Sequence, residues 1–366
     1  MSRSTRRASR ALAIVLILTL AAGIFITAQK IKASRAGAAS PLDKPQLLDQ
    51  TPSQKLADTA LRTDPPQQKE PTLQPLLSTT QTPTIQPIAE PIPQPVAVAF
   101  AAPPPAPTYT LTGNPLADGR ARLDDADPIA ARKILNDAFI SGRLSEPDAA
   151  AAKTLLAKIS QDVTFCRKAF KDDPTAAMYA LQAGDELRKV AAANAITWEL
   201  LCRVNSIANP KKVRAGQTLK LIKGPFHAVI TKSRFTMDIY LGSPGEAGSI
   251  YVTTFPVGLG KDDSTPAGTW QVEPHKKLKK PTYYGPRGEG VIAAGDPKNP
   301  LGDFWIGISG IDGQAIGKTS YGIHGTIEPD SIGKEVSMGC IRMRNDDIAL
   351  VFEMLVEGKS KVIVKD

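Results

Sequence analysis

Tyr321-Gly322-Ile323-His324-Gly325-Thr326 and, after ten intervening residues, Ser337-Met338-Gly339-Cys340-Ile341-Arg342 are the stretches on which the reading of this chain turns. A cysteine is a useful nucleophile only as thiolate, and an imidazole within reach can accept its proton and lower its effective pKa through the resulting ion pair. His324 and Cys340 could supply that couple. Gly339 lets the backbone turn sharply beside the nucleophile, where neighbouring N–H groups can face the oxyanion of a tetrahedral intermediate. Arg342 puts a fixed positive charge two residues on, suited to a substrate carboxylate or to holding the loop. Taken alone, a His and a Cys at this spacing also fit a buried structural pair, so the surroundings have to decide.

The texture around the two motifs is short apolar runs broken by glycine and proline. Residues 228–231, 236–241, 250–257, 269–272, 291–294 and 304–308 read as strands, and 361–364 as a last one. One helix interrupts them: Asn345 or Asp346 can cap it, and Ile348, Val351, Phe352 and Leu355 follow the spacing of a buried helical face. These elements predict a mostly-β domain over residues 224–366 with one helix packed on it.

In this setting the string His324-Gly325-Thr326 … Ser337-x-Gly339-Cys340-x-Arg342 resembles the signature of the L,D-transpeptidase (YkuD-like) catalytic domain. Phe235 to Leu241, Pro256-Val257-Gly258, Ser264-Thr265-Pro266-Ala267-Gly268 and Asn299-Pro300-Leu301-Gly302 are similar to its earlier elements. The resemblance implies acyl transfer on peptidoglycan stem peptides. Cys340 would attack the carbonyl of the third stem residue, expel D-alanine and hold the stem as a thioester. His324 would act as base and then as acid, its ring oriented by the backbone carbonyl of Gly325. Ser337 and Gly339 would shape the nucleophile loop. An amine of another stem would complete a cross-link, and so serve cell-wall organisation and cell shape. Water would give carboxypeptidase or endopeptidase action, and a protein amine would make the chain a protein-to-wall ligase. A non-catalytic wall-binding anchor is a rival of another class, which the intact Cys340, His324 and Arg342 argue against.

Upstream, residues 176–223 read as a βααβ unit. Tyr179 to Leu187 gives a strand, a Gly184-Asp185 turn able to cap a helix, and the helix start; Thr197 opens a second helix, and Thr218 to Ile222 closes the unit. The order resembles a LysM module, which implies binding to the glycan strands of peptidoglycan; a LysM-shaped spacer that no longer binds sugar is the alternative, since Val190 to Trp198 departs from the pattern. Residues 113–175 are Ala-rich, with Ala131, Ile134, Leu135 and Ala138, then Ala151, Leu155, Leu156 and Ile159, on helical faces. They are expected to form a helical spacer.

Of the 31 prolines in the 366 residues, 16 fall between Pro41 and Pro107, which leaves too little apolar material there for a core. Residues 29–112 are therefore expected to be a disordered Pro-rich linker. Arg3, Arg6, Arg7 and Arg10 precede an uncharged apolar run from Ala11 to Ala28, 18 residues long. That run predicts export, with residues 1–28 as a signal-anchor in the cytoplasmic membrane and the catalytic domain outside, in the cell envelope. Cleavage near Ala28 or Ala38, releasing a secreted or periplasmic enzyme, is the alternative.

A net charge of +9 suits acidic partners, but no basic stretch interleaved with aromatics points to nucleic acid. The basic run Lys276, Lys277, Lys279 and Lys280, with Tyr283, Tyr284 and Arg287, reads either as a lid over the site or as a solvated loop. His227 and His275 read as surface or strand-end residues. Cys166 and Cys202 could form a disulfide that leaves Cys340 free, or could be small buried apolar residues. No clustered ligand spacing suggests a metal, and the chemistry calls for no cofactor.

Overall fold

The computed structural model describes Phe100 and residues 111–366 apart from Glu289. The expected membrane segment lies outside the described residues, as does the expected linker except for Phe100, Leu111 and Thr112. Among the described residues, no helix is long and apolar enough to cross a membrane.

Three helices come first, α1 (Pro115–Asp124), α2 (Pro128–Ile140) and α3 (Glu146–Ile159). Each starts where a short polar side chain accepts backbone N–H groups of the first turn, Asn114, Asp127 and Ser145 in order. The face predicted for α2 is buried through Ala131, Ile134, Leu135 and Ala138, and α3 buries Ala152, Leu156 and Ile159. These helices do more than span a gap. Ala131, Leu135, Leu156 and Ile159 share a core with Val229, Tyr240 and Tyr251 of the following sheet, and Asn136 donates to Ser249 O while accepting from Tyr251 N.

The βααβ unit is β1 (Ala176–Ala180), α4 (Leu187–Ala193), α5 (Trp198–Val204) and β2 (Thr218–Ile222), with β1 and β2 antiparallel. Asp185 does not cap α4, contrary to the expectation. Its carboxylate accepts from Gln182 N and Tyr179 Oη, closing the strand-to-helix turn instead, and the residue at the cap position, Glu186, makes no capping bond. Asn205 joins the end of α5 to β2, donating to Leu201 O and Lys220 O and accepting from Lys220 N. Lys220 is fully buried, and its ammonium donates to the carbonyls of Val163, Thr164 and Cys166 at the end of the turn that follows α3. A buried lysine is tolerable only when its donors are met this way. Cys166 and Cys202 are both free thiols, so the bridge considered above is not formed.

The remainder is a mixed eight-stranded sheet, in the order β13-β11-β10-β7-β14-β3-β4-β5. Its strands are β3 (Phe226–Thr231), β4 (Thr236–Leu241), β5 (Ile250–Pro256), β7 (Gly268–Lys279), β10 (Phe304–Gly313), β11 (Tyr321–His324), β13 (Ile341–Arg342) and β14 (Lys361–Lys365). Two small pairs stand outside it: β6 (Leu259–Gly260) with β12 (Glu335–Ser337), and β8 (Tyr283–Tyr284) with β9 (Val291–Ile292). Helix α6 (Asn345–Met354) buries Ile348, Val351 and Phe352, the face its spacing predicted.

Two readings need correction. Strand β7 runs far past residue 272, because β10 is long enough to pair with it twice. Ile308 faces Val272, and Ile306 faces Lys277 across a bulge in which His275 is left-handed, with φ 59°. Lys276, Lys277 and Lys279 are thus strand residues rather than a lid or a free loop. Lys277 donates to the carbonyls of Phe352 and Leu355 at the end of α6, and burial pushes its pKa down to about 8 against the pull of Glu199. Of the two places read for His227, the structure gives the strand end: it is the second residue of β3 and is buried there, with Nδ1 accepting from Lys361 N.

Candidate active site

His324 ends β11 and Cys340 directly precedes β13. The two strands are adjacent and parallel, with Ile323 opposite Ile341 and His324 opposite Arg342. This pairing brings together two motifs sixteen residues apart in sequence. His324 is 5% exposed, and its Nδ1 lies 2.6 Å from Gly325 O. A carbonyl can only accept, so Nδ1 carries the proton and Nε2 keeps its lone pair.

The loop that presents Cys340 is held from inside. Ser337 Oγ donates to Cys340 O at 2.6 Å and accepts from Gly339 N at 3.1 Å. Gly339 has φ +120°, and a β-carbon there would sit 2.7 Å from both Ser264 O and Tyr321 Cε1, so glycine is required on both conformational and steric grounds. Buried Thr265 completes the cradle, accepting from Gly260 N and donating to Gly339 O at 3.0 Å. Arg342 lies two residues beyond the thiol, with one guanidinium nitrogen 2.7 Å from Glu328 Oε2 and a buried Nε that meets no acceptor among the described residues.

The electrostatics differ from the ion pair expected above. Burial pushes the Cys340 thiol up, although a hydrogen bond from the Gly322 backbone and the charge of Arg342 work the other way. Burial also pushes His324 down to about 4, opposed by its bond to Gly325 O and reinforced by Arg342. Both shifts favour uncharged partners. Each group by itself is therefore held toward its neutral form, thiol and imidazole.

Sequence reasoning passed over several residues of this site. Trp305 stands opposite His324 in the β10–β11 register, and their rings stack. Gly322 is small because a β-carbon there would overlap the Trp305 indole. Asn345, expected to cap α6, is its first residue and turns its carboxamide to Thr326 instead, while Arg344 at the cap position makes no capping bond. An aromatic facing a glycine across two strands, and an asparagine at a helix start just past Cys340, are the signals that could have found them.

The L,D-transpeptidase catalytic domain (YkuD) family model matches residues 227–364, and the LysM domain model matches residues 179–221. The putative L,D-transpeptidase YkuD of Bacillus licheniformis is 31% identical over 190 residues, 50% of this chain and 94% of its own length. The putative L,D-transpeptidase YqjB of Bacillus subtilis is 42% identical over 115 residues, 31% of this chain; the chain spans only 59% of that relative. Among solved structures, an L,D-transpeptidase from Mycobacterium smegmatis aligns with TM-score 0.27 and 16% identity, over 41% of this chain and 64% of its own. This chain belongs to the YkuD family of L,D-transpeptidases and carries a LysM domain ahead of the family domain.

Proposed function

We propose that the chain is a peptidoglycan L,D-transpeptidase working through a thioacyl enzyme on Cys340. The observation that carries this reading is the placement of His324 on the strand beside Cys340, with its proton committed to Gly325 O. In the first half-reaction Cys340 Sγ attacks the carbonyl carbon of the third stem residue and its proton passes to His324 Nε2. The oxyanion meets the Cys340 N–H, which donates to nothing among the described residues. Collapse breaks the C–N bond, the imidazolium protonates the leaving amine, and D-alanine departs, leaving the thioester.

In the second half-reaction a side-chain amine of another stem attacks the thioester, with His324 taking its proton. The new amide is the cross-link and the thiol is restored. Arg342 supplies positive charge for a stem carboxylate, with its unpartnered Nε as a spare donor. The LysM domain would hold the glycan strand that carries the stem.

The test is incubation of the protein with a disaccharide-tetrapeptide and weighing of products and enzyme. Expected are free D-alanine, a cross-linked dimer and a stem-sized mass on Cys340. Hydrolysed tripeptide without dimer would move the reading to a carboxypeptidase using the same thioester; no adduct on Cys340 and no D-alanine would end it.

A further inference from the structure

The peptide group between Gly325 and Thr326 is hydrogen-bonded at both of its ends. Its carbonyl oxygen accepts from His324 Nδ1 at 2.6 Å, and its N–H donates to Asn345 Oδ1 at 3.2 Å. Asn345 Nδ2 then donates to the carbonyl of Thr326 at 3.3 Å. The carboxamide thus grips both backbone polar groups of Thr326, and only one orientation of the amide serves, oxygen to N–H and nitrogen to C=O. Packing leaves it no slack, since a β-carbon on Gly302 or on Gly325 would overlap Asn345 Oδ1. The neighbouring backbone is tied as well: Gly325 N donates to Phe304 O at 3.3 Å and His324 O accepts from Met343 N at 2.9 Å.

We infer that Asn345 is a positioning residue for the base: it fixes the plane of the Gly325–Thr326 peptide and, through that plane, the tautomer and orientation of the His324 ring. The inference rests on the reading of His324 as base for Cys340. A peptide whose N–H is engaged becomes a better acceptor at its C=O, because hydrogen bonds in a chain polarise one another. Asn345 Oδ1 therefore strengthens the bond that keeps the proton on Nδ1 and leaves the Nε2 lone pair for the thiol. Its place in α6 does not demand this. A helix start offers several unmet N–H groups that an asparagine side chain commonly serves, and Asn345 is withheld from them.

The experiment uses the full chain labelled with ¹⁵N-histidine. It has three histidines, His227, His275 and His324, and a His324→Gln control assigns the third. In the wild type, His324 is expected as the Nδ1–H tautomer alone. In folded Asn345→Ala a mixture of tautomers is expected, with kcat for D-alanine release from a disaccharide-tetrapeptide lowered by roughly 10- to 100-fold and KM within about threefold. Asn345→Asp keeps an oxygen to accept from Thr326 N–H, and is expected to keep the tautomer and recover most of kcat.

A purely structural role would lower the melting temperature in the variants and leave the tautomer untouched. Retention of the wild-type tautomer in folded Asn345→Ala overturns the inference, as does a different tautomer in the wild type. Should Asn345→Ala not fold, Asn345→Asp decides: loss of the Nδ1–H form there overturns the inference, and its retention supports it. If the wild type releases no D-alanine while the tautomer follows the variants as described, the functional reading fails and the role of Asn345 stands.

Discussion

Trp305 and His324 face each other across adjacent antiparallel strands, their ring centroids 5.7 Å apart and their planes 18° from parallel. The indole also lies over Gly322, whose backbone works against the burial that pushes the Cys340 thiol up. One side chain therefore braces His324 and covers the strand beside Cys340. Gly322→Ala should force the two apart, costing about 1–3 kcal/mol and most of the activity. Trp305→Leu in the same chain should recover part of the stability, as a denaturation cycle over the two single variants and the double would show. Additive losses would mean that the ring and the glycine do not act on each other.

The chemistry itself predicts a hierarchy of losses. Cys340→Ala should abolish D-alanine release, and Cys340→Ser should be nearly inactive because a hydroxyl holds its proton far more tightly. His324→Ala should cost roughly 10²–10⁴-fold in kcat. Cys166→Ser and Cys202→Ser, free thiols of the helical and βααβ segments, should leave turnover per folded molecule near wild type. Substantial release by Cys340→Ala would defeat the mechanism.

Because burial favours the neutral form of both partners, alkylation of Cys340 by iodoacetamide should be slow at pH 6 and climb through pH 8 and beyond. A preformed ion pair would give a rate already level by about pH 5. The pH–rate curve of the wild type, read by mass at Cys340, separates the two.

Acid should also weaken the fold through the same imidazole. Its folded pKa is pushed down to about 4, while the unfolded chain takes up the proton near pH 6.5. Stability is thus full above about pH 6.5 and falls as the pH drops toward 4, by about 3 kcal/mol for this group. His227, also lowered chiefly by burial, adds in the same direction. Urea denaturation at pH 7.5 and 4.5 should show the drop, and His324→Gln should make it smaller by that amount; an unchanged drop would remove His324 as its source.

Cys340 and His324 stood out because they sit inside a dense local signature, and the longer strands were legible because alternation and glycine punctuation are local too; β11 and β13, which bring the two together, were not read, since strands of four and two residues are too short to show alternation. Helix α6 was found by its spacing, though not the use of Asn345: a side chain that can cap its own helix can equally bond a loop, and only tertiary approach decides. Asp185 went the same way, drawn to Tyr179 and Gln182. The full length of β7 was hidden because pairing with β10 carries it across a bulge and a run of lysines that read as solvated. Trp305 was missed since strand register, not sequence distance, sets it against His324. The helices before the βααβ unit were foreseen, but their seat on Val229, Tyr240 and Tyr251 depended on which face of the sheet lay bare.

The βααβ unit and the catalytic sheet do not meet through a loose joint. Leu200, Leu201 and Leu219 lie in one core with Phe226, Ile239 and Val351, Thr197 and Arg203 both bond Glu353 on α6, and Gly224 N donates to Asn194 O. A glycan strand held by the first part would then lie at a set distance and bearing from Cys340. On the proposed reading, the span between the two parts would act as a caliper whose opening is fixed by this shared core.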